Sequence, residues 1–177
     1  MRTLRVGFWL GLGVALSFAT ASLAQMPVYR EAGPVPPALA KAKTIFISNA
    51  GSDSGLFPEP FSGDPDRAYS EFYAALAANR YYALVDDPAM ADLVLELRLT
   101  APDGPSNPSK QNGASDPLPM FRLVIYNGRT HYVLWTVTRS VDFAILQKTH
   151  DKNLDAALAD VLNQFLNIAG RPAAPAH

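Results

Sequence analysis

A short stretch rich in glycine and serine, Gly51–Gly55, holds the polar side chains whose types and spacing best suit chemistry. It follows an apolar β-branched run at residues 44–48 and precedes a helix start at Asp64. Ligands favour the crevice between the carboxyl end of such a strand and the N-terminus of the next helix. The candidate ligand-binding residues are therefore Ser52, Asp53 and Ser54.

The same stretch lacks the marks of two well-known functional loops. No Gly-Lys-Ser or Gly-Lys-Thr follows it, so it is not a P-loop, and Asp53 stands where a nucleophile elbow needs serine. Ser52, Asp53 and His131 supply the three residue types of a Ser-His-Asp triad, but no local pattern supports such a triad. A long turn that wraps the edge of the sheet is the simpler explanation of the stretch.

Metal binding has little support in the sequence. An oxygen-ligand Ca²⁺ site would use Asp53, Glu59, Asp64 and Asp66, but the EF-hand spacing is absent. His131 and His150 fall in predicted turns, where we expect them to be exposed, and neither has a partner at metal-ligand spacing. The sequence therefore predicts no catalytic residue, no metal and no cofactor.

The first 24 residues have the pattern of a secretory signal peptide. Arg2 and Arg5 precede an apolar run, residues 6–19, that is short for a membrane span, and a small-x-small site ends at Ala24. Cleavage after Ala24 would leave a periplasmic or secreted protein with no membrane span. An uncleaved N-terminal anchor is the alternative.

Charge and cysteine content exclude several classes of protein. Arg2 and Arg5 are the only charged residues of the signal peptide. Cleavage therefore removes two of the 15 basic residues and none of the 16 acidic residues, which gives a net charge of −3. Such a chain has no basic stripe for nucleic acid. With no cysteine, disulfides, thiolate chemistry and lipid attachment at a cysteine are also excluded.

The element that organises the predicted fold is a hairpin over residues 118–144, whose two apolar arms flank Asn127-Gly128. A one-residue slip exchanges the faces of a strand, so the apolar pattern selects a connection with an odd number of residues. The predicted buried face consists of Phe121, Leu123, Ile125, Val133, Trp135 and Val137.

The rest of the chain supplies three further strands and two helices. Runs at 44–48, 81–85 and 93–100 predict strands, and the alternation of the last predicts a sheet covered on one side. Helical spacing predicts helices from Asp64 to Asn79 and from about Asp151 to Gly170. We therefore predict an α+β domain, β-α-β-β-β-β-α, with two helices on one face of a mostly antiparallel sheet.

Composition sets the boundaries of this single domain, residues 43–169. Residues 25–42 are rich in proline and predict a linker, and residues 170–177 predict a disordered tail. Residues 101–117 contain almost nothing that a core would use, and we expect a mobile surface insertion there.

The predicted uncovered face of the hairpin is a candidate contact surface. Aromatic and arginine side chains on an open sheet face are typical of protein interfaces, although cross-strand pairing explains them as well. The candidate interaction residues are Arg122, Tyr126, Tyr132 and Thr136.

Short motifs resemble those of small uncharacterised bacterial envelope proteins. They are LVD at 84–86, ADLVL at 91–95, LW at 134–135 after a turn with Thr130, and KNL at 152–154. The pattern is also similar to the N-terminal α/β domain of the Tol translocation protein TolB and to periplasmic domains of outer-membrane activators of penicillin-binding proteins. The resemblance implies an interaction module of the envelope without catalytic residues, whose partner is another envelope protein.

Two other functions stay open at this point. A hydrolase or a small-ligand-binding protein would use the loop after the first strand, and a carrier of a small apolar ligand would need a cavity between helices and sheet. A non-enzymatic envelope interaction module, with no nucleic-acid partner, is the function that the sequence favours.

Overall fold

The computed structural model describes residues 33–106, 109 and 115–171. The predicted signal peptide, residues 25–32 of the predicted linker, the middle of the predicted insertion (107, 108 and 110–114) and the tail from residue 172 lie outside the described residues. A short helix, α1 (Pro37–Lys41), opens this part of the chain. We had placed Pro37–Lys41 in a linker, but Leu39 is fully buried in the core. A single apolar side chain, five residues before the first strand, was too weak a signal to predict that contact.

The central sheet has five strands in the order β2-β1-β3-β6-β7. They span Ala83–Leu84 (β2), Thr44–Ser52 (β1), Leu93–Thr100 (β3), Met120–Asn127 (β6) and Val133–Ser140 (β7). The strand β1 is parallel to β2 and β3, whereas the two longest ladders, β3–β6 and β6–β7, are antiparallel. The predicted α+β class is confirmed.

A second, two-stranded sheet occupies the region that we predicted to be an insertion. The strand β4 (Asp103–Ser106) pairs antiparallel with β5 (Ser115–Pro117). The ends of the predicted insertion therefore form a small hairpin of their own. Proline and glycine within these strands hid them from the sequence pattern.

Two long helices cover one face of the central sheet. The helix α2 (Arg67–Asn79) lies between β1 and β2, and α3 (Gln147–Ile168) follows β7. Both contact the sheet and each other. The largest fully buried side chains of the core are Phe61, Phe72, Leu76, Phe165, Ile45, Leu93, Leu95, Leu99, Phe121, Leu123 and Ile125, with Leu39 of α1.

Both helices start away from the predicted residues. Asp66, not Asp64, is the N-cap residue of α2, and the Asp64 carboxylate instead accepts a hydrogen bond from the Asp66 backbone N–H (2.8 Å). The helix α3 begins one turn earlier than predicted, after Leu146. Gly170, at φ +71°, ends α3 as predicted.

The register of the main hairpin places the predicted face inward, with one exception. Phe121, Leu123, Ile125 and Val137 are buried, and Trp135 packs half-buried against the core. Leu123 pairs with Val137 and Ile125 with Trp135, but a bulge then shifts the register so that Tyr126 pairs with Val133. Val133 is 55% exposed, so its predicted burial is wrong. The bulge turns its side chain away from the core.

Five residues, Gly128–Tyr132, separate the end of β6 from the start of β7, an odd number as predicted. The Asn127 N–H donates to the Tyr132 carbonyl, and the left-handed residue is His131 (φ 58°), not glycine. Beyond the bulge in β7, Trp135 and Val137 lie opposite Ile125 and Leu123 on the predicted face. Gly128 is needed for close approach, since an added Cβ would lie 1.9 Å from the Ala91 carbonyl oxygen.

Arg171, which we had placed in the disordered tail, ties the end of α3 to the start of the domain. Its guanidinium donates to the carbonyls of Tyr81 (2.8 Å) and Ala42 (2.9 Å) and lies 4.5 Å from the centroid of the Tyr82 ring. Cation–π stacking and two charge-assisted hydrogen bonds therefore hold Arg171 in the packed domain.

Candidate functional site

The loop after β1, where we predicted a ligand, uses its central carboxylate for structure. Asp53 accepts hydrogen bonds from the Ala101 backbone N–H (2.9 Å) and the Arg98 guanidinium (3.0 Å). Both hydrogen bonds lower the pKa of Asp53, and the bond from Ala101 has the larger effect. The Ser52 hydroxyl donates to the Pro65 carbonyl (3.0 Å), and Ser54 is exposed in the turn. The three predicted residues are neighbours, but Ser52 and Asp53 join the end of β1 to other segments of the chain.

A Ser52-Asp53-His131 triad is excluded by the topology. Ser52 lies level with Leu99 at one end of β3, whereas the loop with His131 follows Asn127, which pairs with Leu93 at the other end. About six residues of strand separate the two ends, or roughly 20 Å. The hypothesis of a hydrolase built on this triad is therefore wrong.

At that opposite end of the sheet, Asp92 holds three segments together. Its carboxylate accepts hydrogen bonds from the backbone N–H groups of Lys43 (2.8 Å) and Thr44 (3.1 Å), and its carbonyl accepts one from Gly128 (2.9 Å). The N–H groups of Lys43 and Thr44 lower the pKa of Asp92, Lys43 having the larger effect, and the charge of Arg129 lowers it further. The aspartate of the ADLVL motif is thus a structural junction between β1, β3 and the hairpin loop.

A second polar network, between α2 and α3, was missed by sequence reasoning. Arg67 donates to carboxylates of Glu71 (2.8 Å), Asp151 (2.8 Å) and Asp155 (2.6 Å). Asp151 also accepts hydrogen bonds from the backbone N–H and the hydroxyl of Ser62. Both bonds lower the pKa of Asp151, and the bond from the N–H has the larger effect. Since Arg67 and Asp151 are distant in sequence, no local spacing reveals the pair. The network fixes α2 against α3.

His150 is buried, which contradicts the predicted exposed turn. It lies in the first turns of α3, edge-on to the rings of Phe61 (centroids 5.9 Å apart) and Phe143 (5.3 Å apart). The helix starts earlier than predicted, and this carries His150 from the turn into the packed face. His131 is exposed in the hairpin loop, as predicted.

The segment between β7 and α3 presents three large apolar side chains to solvent. Ile145 is 93%, Phe143 80% and Leu146 68% exposed. We call Phe143–Leu146 the apolar segment. Next to it, a shallow cleft is lined by Pro60, Phe61, Pro117, Pro119, Val141, Asp142, Phe143 and His150, which extends the apolar surface.

Hydrogen bonds and packing hold the apolar segment in place. The Val141 N–H donates to the Pro119 carbonyl (2.8 Å), and Asn153 Nδ2 donates to the Asp142 carbonyl (3.0 Å). Val141 and Ala144 point into the domain and are buried. At the other end, the Leu146 carbonyl accepts from the N–H groups of Thr149 and His150, so the backbone is anchored on both sides of the exposed side chains. Leaving each of these side chains in water forgoes about 1.5–3 kcal/mol of burial.

The predicted interaction face of the hairpin is only partly open. Arg122 and Thr136 are exposed, while Tyr126 is half-buried with its hydroxyl 3.5 Å from a carboxylate oxygen of Glu96. Burial raises the pKa of Tyr126 and has the largest effect, and the nearby Glu96 carboxylate raises it further. Tyr132 is exposed but lies at the end of the hairpin loop. The structure brings Arg122, Tyr126 and Thr136 onto one face; their role in binding stays a prediction.

A metal-ligand cluster and a membrane-spanning helix are both absent from residues 33–106, 109 and 115–171. Within this range, no three His, Cys, Asp or Glu side chains form a group that could hold a metal ion. No helix of the same range combines the length and the apolar content of a membrane span.

Comparison with known proteins gives no family for the chain. No protein-family model matches the sequence, and no curated protein matches it significantly. Similar solved structures do exist. A DUF4136 family protein from Bacteroides thetaiotaomicron is 14% identical with a TM-score of 0.47, covering 75% of this chain and 91% of that one.

Two further similar structures are also of bacterial proteins. The PelC dodecamer from Paraburkholderia phytofirmans is 14% identical with a TM-score of 0.41, covering 75% of this chain and 92% of that one. Lipoprotein GNA1162 from Neisseria meningitidis is 16% identical with a TM-score of 0.36, covering 71% and 99%. At these identities no residue role transfers to this chain, and the resemblance to TolB stays a prediction.

Proposed function

We propose that this chain is a non-enzymatic interaction module of the bacterial cell envelope, periplasmic or secreted, that binds another envelope component. The observation that carries the proposal is the apolar segment, with Phe143, Ile145 and Leu146 exposed on an anchored backbone. Contiguous exposed apolar side chains on a small protein are typical of interaction sites. The segment replaces the hairpin face as the first place to look for a partner.

The polar groups support the absence of catalysis. Asp53, Asp92 and Asp151 accept hydrogen bonds from backbone N–H groups of distant segments. These bonds lower the pKa of each carboxyl. A carboxylate whose pKa is lowered in this way is a poor general base, because catalysis near neutral pH needs a raised pKa. The strongest polar clusters of the described chain therefore serve the fold.

The rigid presentation of the apolar segment favours a protein partner. Large apolar and aromatic side chains surrounded by polar groups are what the centre of a protein interface contains. A partner that covers Phe143, Ile145 and Leu146 would recover the burial that the free protein forgoes. Because the backbone is already fixed, little conformational entropy is lost on binding.

The test is site-specific photocrosslinking in cells. A photoreactive amino acid at Ile145 should yield one discrete adduct, whose partner mass spectrometry identifies as an envelope protein. The same residue at Ala156, exposed on α3, is the matched control and should yield no discrete adduct. A third position, Thr136, tests the predicted hairpin face.

The outcomes separate the two surfaces. An adduct at Thr136 but not at Ile145 would mean that the hairpin face, and not the apolar segment, binds the partner. The absence of a discrete adduct at both positions, together with substrate turnover by the purified protein, would overturn the proposed function.

A further inference from the structure

A cleft lies at the end of the sheet opposite the Gly51–Gly55 loop. It has a volume of about 730 Å³, within the range of small-molecule sites. It is lined by Ala38, Lys41, Ala42, Ala89, Met90, Ala91, Asp92, Asn127, Gly128, Arg129 and Thr130. Three parts of the fold contribute to it: α1, the segment before β3, and the hairpin loop.

The charged side chains that line this cleft are two cations and one acid. Lys41 and Arg129 are exposed, and neither forms an ion pair with a residue that the structure describes. The one acid in the wall, Asp92, directs its carboxylate to the backbone N–H groups of Lys43 and Thr44. The cleft therefore has two cations and a single carboxylate, whose hydrogen bonds go to backbone N–H groups rather than to either cation.

The loop that carries one of these cations is held in a defined shape. The Asn127 side-chain oxygen accepts hydrogen bonds from the N–H groups of Arg129 (3.0 Å) and Thr130 (2.9 Å). The Gly128 N–H donates to the Asp92 carbonyl, which fastens the loop to β3. Arg129 and Thr130 are thus presented to the cleft from a fixed backbone, which lowers the entropic cost of binding.

The other side chains of the cleft are apolar. Ala38, Ala89 and the well-exposed Met90 stand beside the two cations. A guanidinium binds a carboxylate or phosphate through two parallel hydrogen bonds, and an ammonium binds either as a point charge. We propose that this cleft binds a small organic anion, in which a carboxylate or phosphate group meets Lys41 and Arg129 and a short apolar part contacts Met90.

The proposal is tested with hexanoate and hexyl phosphate as probes, and with neutral 1-hexanol as the control. Each is titrated into purified protein while backbone amide NMR signals are followed. At least one anion should produce saturable shifts at Gly128, Arg129 and Thr130, whereas hexanol should not. Comparing the two anions decides between the carboxylate and the phosphate.

Variants then locate the site. Lys41→Met and Arg129→Met should each weaken binding of the anion by about three- to tenfold, since each removes one cation. Lys148→Met removes a similarly exposed cation outside the cleft, at the start of α3, and should leave affinity unchanged. Absence of saturable shifts with both anions, equal binding of hexanol, or unchanged affinity in both cleft variants would overturn the proposal. None of these results depends on the apolar segment.

Discussion

Arg67 of α2 and Asp151 of α3 form the ion pair that joins the two helices, with Nη1 2.8 Å from Oδ1. Both side chains are mostly buried, at 17% and 21% exposure. Arg67→Met would leave Asp151 without its cation, and it would also remove the partner of Asp155. Because charge-assisted hydrogen bonds in partly buried sites are lost, we expect a destabilisation of about 1.5–3 kcal/mol in urea unfolding.

The control for Arg67→Met is Lys152→Met, which removes an exposed cation of α3. It should change the free energy of unfolding by no more than about 0.5 kcal/mol. Equal effects of the two variants would mean that the interhelical network does not stabilise the fold.

The lowered pKa values of Asp53, Asp92 and Asp151 predict a loss of stability in acid. A carboxyl whose pKa is lower in the folded than in the unfolded state stabilises the fold above the unfolded value, ordinarily 3.8 here. That stabilisation disappears as the pH falls through 3.8 towards the folded value. The free energy of unfolding should therefore be flat above about pH 5 and fall steeply below about pH 4.

Asp151→Asn checks the assignment of this acid sensitivity. It should be less stable than the wild type at pH 7, and its stability should fall less between pH 5 and pH 3. A variant with the same slope as the wild type would show that Asp151 contributes nothing to the acid transition.

Gly128→Ala tests the contact between the hairpin loop and β3. An added Cβ would lie 1.9 Å from the oxygen of Ala91, which is a backbone atom and not the end of a flexible side chain. We expect a destabilisation of about 3 kcal/mol or more, measured by chemical unfolding. Gly33→Ala is the matched control, since nothing lies within 4 Å of its added Cβ, and it should be neutral.

The hairpin register predicts a graded series of alanine variants. Phe121→Ala removes a fully buried ring and should cost about 3–5 kcal/mol. Trp135→Ala should cost less, about 2 kcal/mol, because Trp135 is only half-buried, and Val133→Ala should cost under about 0.5 kcal/mol. A cost at Val133 that equals the cost at Trp135 would contradict the bulge.

The fold was predictable where a regular apolar pattern covered a whole element. The alternation of Leu93 to Leu99 located the covered face of the sheet, and helical spacing located Phe72, Leu76, Leu154 and Phe165 in the core. Those signals are local, and each strand or helix carries its own.

Features that depend on distant contacts were not predictable in the same way. The bulge that exposes Val133 is one extra residue in a strand that otherwise alternates, and α1 depends on a single buried leucine. The pairing of Arg67 with Asp151 needs the packing of two helices to be known.

The candidate site shows the same limit. Asp53 was predicted as a ligand-binding residue, and its partners in the structure, Ala101 and Arg98, come from a neighbouring strand and its end, which no local pattern reveals. The apolar segment appeared in the sequence as part of a hairpin arm and a turn. Its exposure follows from the early end of β7 at Ser140 and the early start of α3 at Gln147.

Exposed side chains of the apolar segment should be dispensable for folding. Phe143→Ser together with Leu146→Ser should change the midpoint of thermal unfolding by no more than a few degrees, because both side chains are mostly in water. A large loss of stability would mean that they belong to the core of the domain.

The central claim, that the apolar segment is the partner-binding surface, is tested most directly by the yield of the crosslinked adduct in this double variant. With the photoreactive residue kept at position 145, Phe143→Ser and Leu146→Ser should reduce the yield at least tenfold in a protein that is folded and present at the wild-type level. An unchanged yield of the same adduct would contradict the claim.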